Sequence, residues 1–187
     1  MRVLSALRRD HYDIEAMLAV FEAAARRLQE GRYVGPEMLA GILRFFRQSV
    51  CECHHEKEEA GLFPLLLASR REAELVCALT AQHATHRAMF EQTTQKLKLL
   101  QQKDAGARGT FIVHVRECVA SVREHVGREN RLFDETVAAL LTAAQDEELS
   151  STFGSIERVT IGPTGREWYN QVVADYRDIV STLGQVA

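Results

Sequence analysis

The chain has 187 residues, of which 46% are apolar and 26% charged, and a net charge of −3. That is the profile of an ordinary globular domain, long enough to bury a core without a disulfide or metal staple. Eleven glycines and three prolines are too few for a sandwich, a barrel or a disordered chain, and favour long helices. The balanced charge gives no sign of polybasic nucleic-acid or membrane-surface binding. The longest stretch without a charged residue, Leu75 to His86, is too short to span a bilayer. The opening MRVLSALRRD lacks the apolar length of a secretory signal, so the expected setting is the cytoplasm.

Four segments carry apolar residues at helical spacing. The first runs over about 3–30 along Leu4, Leu7, Ile14, Leu18, Phe21, Ala25 and Leu28, with Gly31 as its stop. Gly35-Pro36 opens the second, which carries Leu39, Leu43, Phe46, Val50 and Leu62 until Pro64 disturbs it. The third covers about 70–102 on Val76, Leu79, Phe90, Leu97 and Leu100. The loop KDAGARG leads to the fourth, about 110–144, on Phe111, Val115, Val122 and Leu132. Long helices with short loops predict an antiparallel, up-down-up-down four-helix bundle over residues 1–145. In 146–187, DEELSSTFGSIERVTIGP reads as a polar, broken connection. Thr164 to Glu167 then has the spacing of a capping box for an additional C-terminal helix. Its stripe of Trp168, Val172, Tyr176, Ile179 and Leu183 predicts docking on the bundle or on a second copy in a homodimer.

Cys51, Cys53, Cys77 and Cys118 lie inside these helical patterns without C-x2-C pairing. Cys51 and Cys53, about 200° apart on a helix, cannot chelate one ion. The expectation is reduced, partly buried thiols.

The histidines carry the chemistry. His11, His54, His83 and His125 each interrupt the apolar stripe of a different helix. Glu58 and Glu129 follow His54 and His125 by four residues, which stacks each pair on one face to within about 40°. A lone inward histidine is ordinarily a hydrogen-bonded core residue. Four of them, with two carboxylates at core positions and no Lys or Arg on the same stripes, point instead to a metal centre. The pattern is also internally repeated. His11 to His54 spans 43 residues and His83 to His125 spans 42, while DHYDIEAM aligns with QHATHRAM and HHEKE with EHVGRE. A duplicated hairpin sets two half-sites face to face and suggests two ions.

The strings LRRDHYDIEAML, CHHEKEEAGLFPLL, LTAQHATHRAMF and REHVGRENRLF resemble the signature segments of hemerythrin-like HHE cation-binding domains, over about residues 3–143. The resemblance implies a non-haem di-iron centre held by His11, His54, Glu58, His83, His125 and Glu129. Both glutamates would bridge two iron ions, with an oxo or hydroxo bridge between them. In place of Leu-Phe-Pro, the second half has Leu132-Phe133-Asp134, one residue nearer its glutamate. Oxygen-carrying hemerythrins have His-x3-His on the third helix and His-x4-Asp on the fourth. This chain has His83-x2-His86 and His125-x3-Glu129, which weakens the oxygen-carrier reading.

An imidazole and carboxylate donor set suits iron, zinc or manganese. Two histidines and two shared carboxylates would leave a position open on each ion for O2, NO or peroxide. The expected function is binding or turnover of these molecules in oxidative or nitrosative stress, drawing on an electron donor if catalytic. The alternative is a non-enzymatic binding or sensing module that signals through its C-terminal helix. His86 is expected beside the site, as an extra ligand or as a group that orients one, and the repeat favours the second. His55, paired with Glu59, reads as a flank residue or another supporting group. His114 lies about 16 Å along the helix from His125, beyond reach of the same ions. Cys118 sits about two turns from the centre.

Overall fold

Leu4, Leu7, Ile14, Leu18, Phe21, Ala25 and Leu28 form one buried stripe of the first helix, α1 (Arg2–Gln29). Gly31, at φ +75°, supplies the left-handed residue that ends it. The structure, a computed structural model, describes residues 1–162, 167, 170–176 and 178.

The second helix, α2, spans 36–68 and changes its winding along the way. Pro36–Phe45 is α-helical, Phe46–His54 and Lys57–Leu62 are wound as π-helix, and Phe63–Ala68 is α again. Pro64 does not break it. The proline directly follows the π-wound Lys57–Leu62 stretch, whose local adjustment accommodates the missing N–H. A turn with Arg70 and Glu72 in left-handed conformation leads into α3 (Ala73–Gln101). The fourth helix, α4, covers 107–140, with a π-wound stretch at Phe133–Val137. Among the described residues there is no strand, and none of the helices is long and apolar enough to cross a membrane. The all-α bundle with an added C-terminal helix is the expected fold.

The connection expected after Gln145 is a helix, α5 (Ala143–Thr160). Thr142 and Gln145 cap it reciprocally, each side chain meeting the other's backbone N–H. Leu149 and Phe153, one turn apart, are buried on one face, and α5 lies against α1 and the π-wound part of α2. Reading only its many polar residues hid this two-residue apolar face. The capping box expected around Thr164, together with Trp168, Ile179 and Leu183, lies outside the described residues. Nearby, Val173 is buried in the bundle core and Val172 and Tyr176 pack against it. The Tyr176 hydroxyl fills the space above Gly41, 1.9 Å from where a Cβ would sit.

The core divides into two apolar blocks. Ile14, Phe21, Phe46, Phe90 and Val122 belong to one; Leu7, Leu62, Phe63, Leu79, Leu132 and Phe153 belong to the other. In every helix of the bundle the inward histidine falls between the two, so the site is a polar layer sealed at both ends. Cys51, Cys53 and Cys118 are buried and Cys77 is exposed, all four free. Burial pushes the Cys51 thiol up to about 12 and raises Cys53 and Cys118, which keeps these thiols protonated and unreactive.

Candidate metal centre

Two groups of donors converge in this layer, one of His11, His54, Glu58 and Glu129, the other of Glu58, His83, His125 and Glu129. The six residues expected from sequence thus come together, and both glutamates belong to both groups. Glu129 spans them: Oε2 lies 3.2 Å from His11 Nε2, and Oε1 lies 2.9 Å from His125 Nε2 and 3.4 Å from His83 Nε2. Glu58 Oε2 lies 3.5 Å from His54 Nε2 and 3.4 Å from His83 Nε2. The imidazoles meet edge to edge, with Nε2 atoms 3.2 Å apart for His11 and His54 and 3.0 Å apart for His83 and His125.

Three of the four rings present Nε2 inward with Nδ1 hydrogen-bonded to an outer acceptor. His11 Nδ1 meets Asn130 Oδ1 at 2.8 Å, His83 Nδ1 meets Glu59 Oε1 at 2.8 Å, and His125 Nδ1 meets Gln82 Oε1 at 3.0 Å. His54 Nδ1 stands 3.6 Å from Asp10 Oδ2. An acceptor at Nδ1 selects the tautomer whose Nε2 lone pair points inward, the form a metal requires. Cations hold three of these acceptors in turn: Lys57 on Asp10, Arg87 on Glu59 and Arg128 on Gln82.

These outer partners were missed in the sequence, yet they follow its repeat. Asp10 and Gln82 each precede the histidine of an odd-numbered helix, and Glu59 and Asn130 each follow a shared glutamate. The first half supplies two acids and the second two amides, crossed so that each donor group contains one acid-backed and one amide-backed imidazole. The phenylalanines repeat as well. Phe133 stacks on His11 at 5.4 Å and Phe63 on His83 at 5.6 Å. Phe63 comes five residues after Glu58, whereas Phe133 comes four after Glu129. The π turn at Lys57–Leu62 absorbs the extra residue, because its hydrogen bonds step five residues rather than four.

His55 and His86 lie against the cage but outside both four-residue groups. His55, expected on a flank or as a supporting group, is fully buried and stacks on His83 at 3.7 Å. His86 donates or accepts at Ser121 Oγ, 3.1 Å away, and stands edge-on to His125. With His125 they form a third convergence of nitrogens. Burial, then the imidazoles of His125 and His83, push His86 down to about 3, and burial with the same kind of neighbours drives His55 well below the usual range. Both are neutral, and the Nδ1 of each is buried without a hydrogen-bond partner. His114, as expected, is set apart, bonded to Thr93 and Gln92.

The residues fit a metal. Glu58 is completely buried and neither of its oxygens has a hydrogen-bond partner, an arrangement costing several kcal/mol unless a cation compensates it. Without metal, protons take that role. Burial opposes charge on His54, but Glu58 and Asp10 outweigh it and hold the ring well above its ordinary value; on His83, Glu129 and Glu58 outweigh burial and raise it to about 9. Burial would raise Glu129, but His11 and His125 hold it well below the carboxylate range. A group raised in the folded state stabilises it below its unfolded pKa and loses that contribution as pH rises through the folded one. Metal-free protein is therefore expected to lose stability from about pH 6.5 to about 9, and also in acid as Glu129 is protonated. Melting of chelator-treated protein against pH checks this.

A sealed layer of imidazoles and shared carboxylates within a helical bundle defines a metal-binding protein. The chain belongs to the hemerythrin HHE cation-binding domain family, whose domain matches residues 2–137. It is similar to the uncharacterized protein Rv1995 of Mycobacterium tuberculosis and the uncharacterized protein Mb2018 of Mycobacterium bovis. Each is 22% identical over 178 residues, 95% of this chain and 69% of the relative. No solved structure matches the chain.

Proposed function

We propose that the cage of His11, His54, Glu58, His83, His125 and Glu129 holds two iron ions, and that the protein binds or turns over O2, NO or peroxide in oxidative or nitrosative stress. The observation that carries this reading is Glu58, a buried carboxylate whose oxygens lack partners yet face histidines of both donor groups. Imidazole and carboxylate donors suit iron, and the buried thiols lie outside the cage groups, unlike those of a structural zinc site. Iron bound here would supply the redox chemistry toward small oxidants. The protein's own part is to shape the surroundings. Its two apolar blocks exclude bulk water, and neutral His55 and His86 each offer a free Nδ1 to hydrogen-bond a small molecule. A surface groove of about 510 Å³, lined by Tyr12, Gly127 and Asn130, reaches His11. Turnover would draw on an electron donor; a non-enzymatic binder or sensor signalling through its C-terminal helices is the second reading, favoured by the contact of α5 with α1 and α2.

The test is metal analysis of purified protein, followed by absorption spectra of the reduced form on addition of O2, NO and peroxide. Two irons per chain and new absorption bands are expected. Zinc, or no metal, would overturn the reading. Reversible adducts favour a binder and steady peroxide loss an enzyme. In the same assay His86→Ala is expected to keep both irons and to alter adduct lifetime. Loss of one iron would make His86 a ligand.

A further inference from the structure

Lys57 is completely buried, although Lys at such a position is ordinarily excluded by the cost of desolvating its charge. Its Nζ donates to Asp10 Oδ2 at 2.7 Å and to Glu157 Oε1 at 2.6 Å, and it stands 5.9 Å from the centre of the Phe153 ring. The same Asp10 oxygen stands 3.6 Å from His54 Nδ1, a charge contact without a hydrogen bond. The connected groups run Glu157, Lys57, Asp10, His54, from α5 to the cage. Residues 138–187 fall outside the span matched to the family domain, so this link joins the domain to a helix appended to it.

We propose that α5 is a control element of the metal centre: Glu157, through Lys57, holds Asp10 against His54 and so sets how firmly His54 grips its ion. This rests on the two-metal reading above. While Glu157 shares the ammonium, Asp10 keeps charge available for His54 Nδ1. When Glu157 is withdrawn, the ammonium pairs with Asp10 alone and draws its charge away from the ring. A weaker negative charge beside Nδ1 makes Nε2 a poorer donor, and loss of such outer partners typically costs about 10–100-fold in metal affinity. The effect falls on one ion, because His54 belongs to only one of the two donor groups. Lys57 and Asp10 act as positioning residues, and Glu157 ties them to α5.

The test uses the full chain loaded with iron(II), with release to a colorimetric chelator followed over time alongside melting of the metal-free form. Leu149→Ala serves as the control, since it loosens the α5 packing without touching the charged link. Glu157→Gln is expected to release one ion about 10-fold faster with the other unchanged, and to leave metal-free melting close to wild type. Leu149→Ala is expected to lower melting with little change in release. Lys57→Met, which removes the ammonium that draws on Asp10, is expected to slow release of the same ion; if it fails to fold, Glu157→Gln, whose site is partly exposed, decides. Unchanged release in Glu157→Gln, equal acceleration of both ions, or release that simply follows melting in all variants would overturn the inference. Wild-type protein that takes up no metal would instead overturn the functional reading on which it rests.

Discussion

A Glu58→Ala, Glu129→Ala double variant is expected to retain neither ion, while each single variant loses affinity for both. Each glutamate belongs to both donor groups, so removing either weakens both. Glu129 matters more, because His11, His54, His83 and His125 all bear on its carboxylate. Its removal from metal-free protein also takes away the charge that most raises His83. That variant is expected to lose less stability than wild type as pH rises from about 6.5 to about 9. Metal content by elemental analysis and melting against pH check both halves. Full two-ion loading of the double variant would sink the cage as assigned.

Deleting residues 143–187 is expected to be the most damaging structural change. It uncovers the partners of Leu149 and Phe153, whose burial contributes roughly 1.5–3 kcal/mol each. It also strips Lys57 of Glu157 and opens its buried ammonium to water. Losing about 3–6 kcal/mol from a domain of this size lowers melting by at least about 6 °C, and a marginally stable bundle would not tolerate much more. Thermal melting and the oligomeric state measured together separate loss of an internal prop from loss of a contact between copies. Unchanged melting and an unchanged oligomer would contradict the docking of α5.

The bundle and the six inner residues were legible because both obey a period of 3.6: apolar stripes and His-x3-Glu pairs declare their face directly. What escaped notice departs from that period. Along α2 the π turns carry more residues per turn, so His55, which an angle of about 100° per residue sets toward a flank, turns inward, and Lys57 with it. Lys57 was further concealed because its partners, Asp10 and Glu157, lie 47 and 100 residues away. The one-residue mismatch between LFP and LFD, visible in the sequence, was the trace of the altered winding. The outer acceptors were equally present, as neighbours of the inner residues in each repeat, but an amide and an acid at matched positions do not look alike until their shared task is seen. Helix α5 was hidden by composition, its two buried apolar residues being diluted among polar ones.

The crossed arrangement of the two halves has a consequence for how the protein comes apart. Neither hairpin owns a finished seat for an ion: the first needs Glu129 and Asn130 from the second, and the second needs Glu58 and Glu59 from the first. A chain with one hairpin open keeps no complete donor group. On the two-metal reading, parting the hairpins and surrendering metal would be a single event, so bound metal would act as a latch between them, and it would escape at the rate of the easiest such opening.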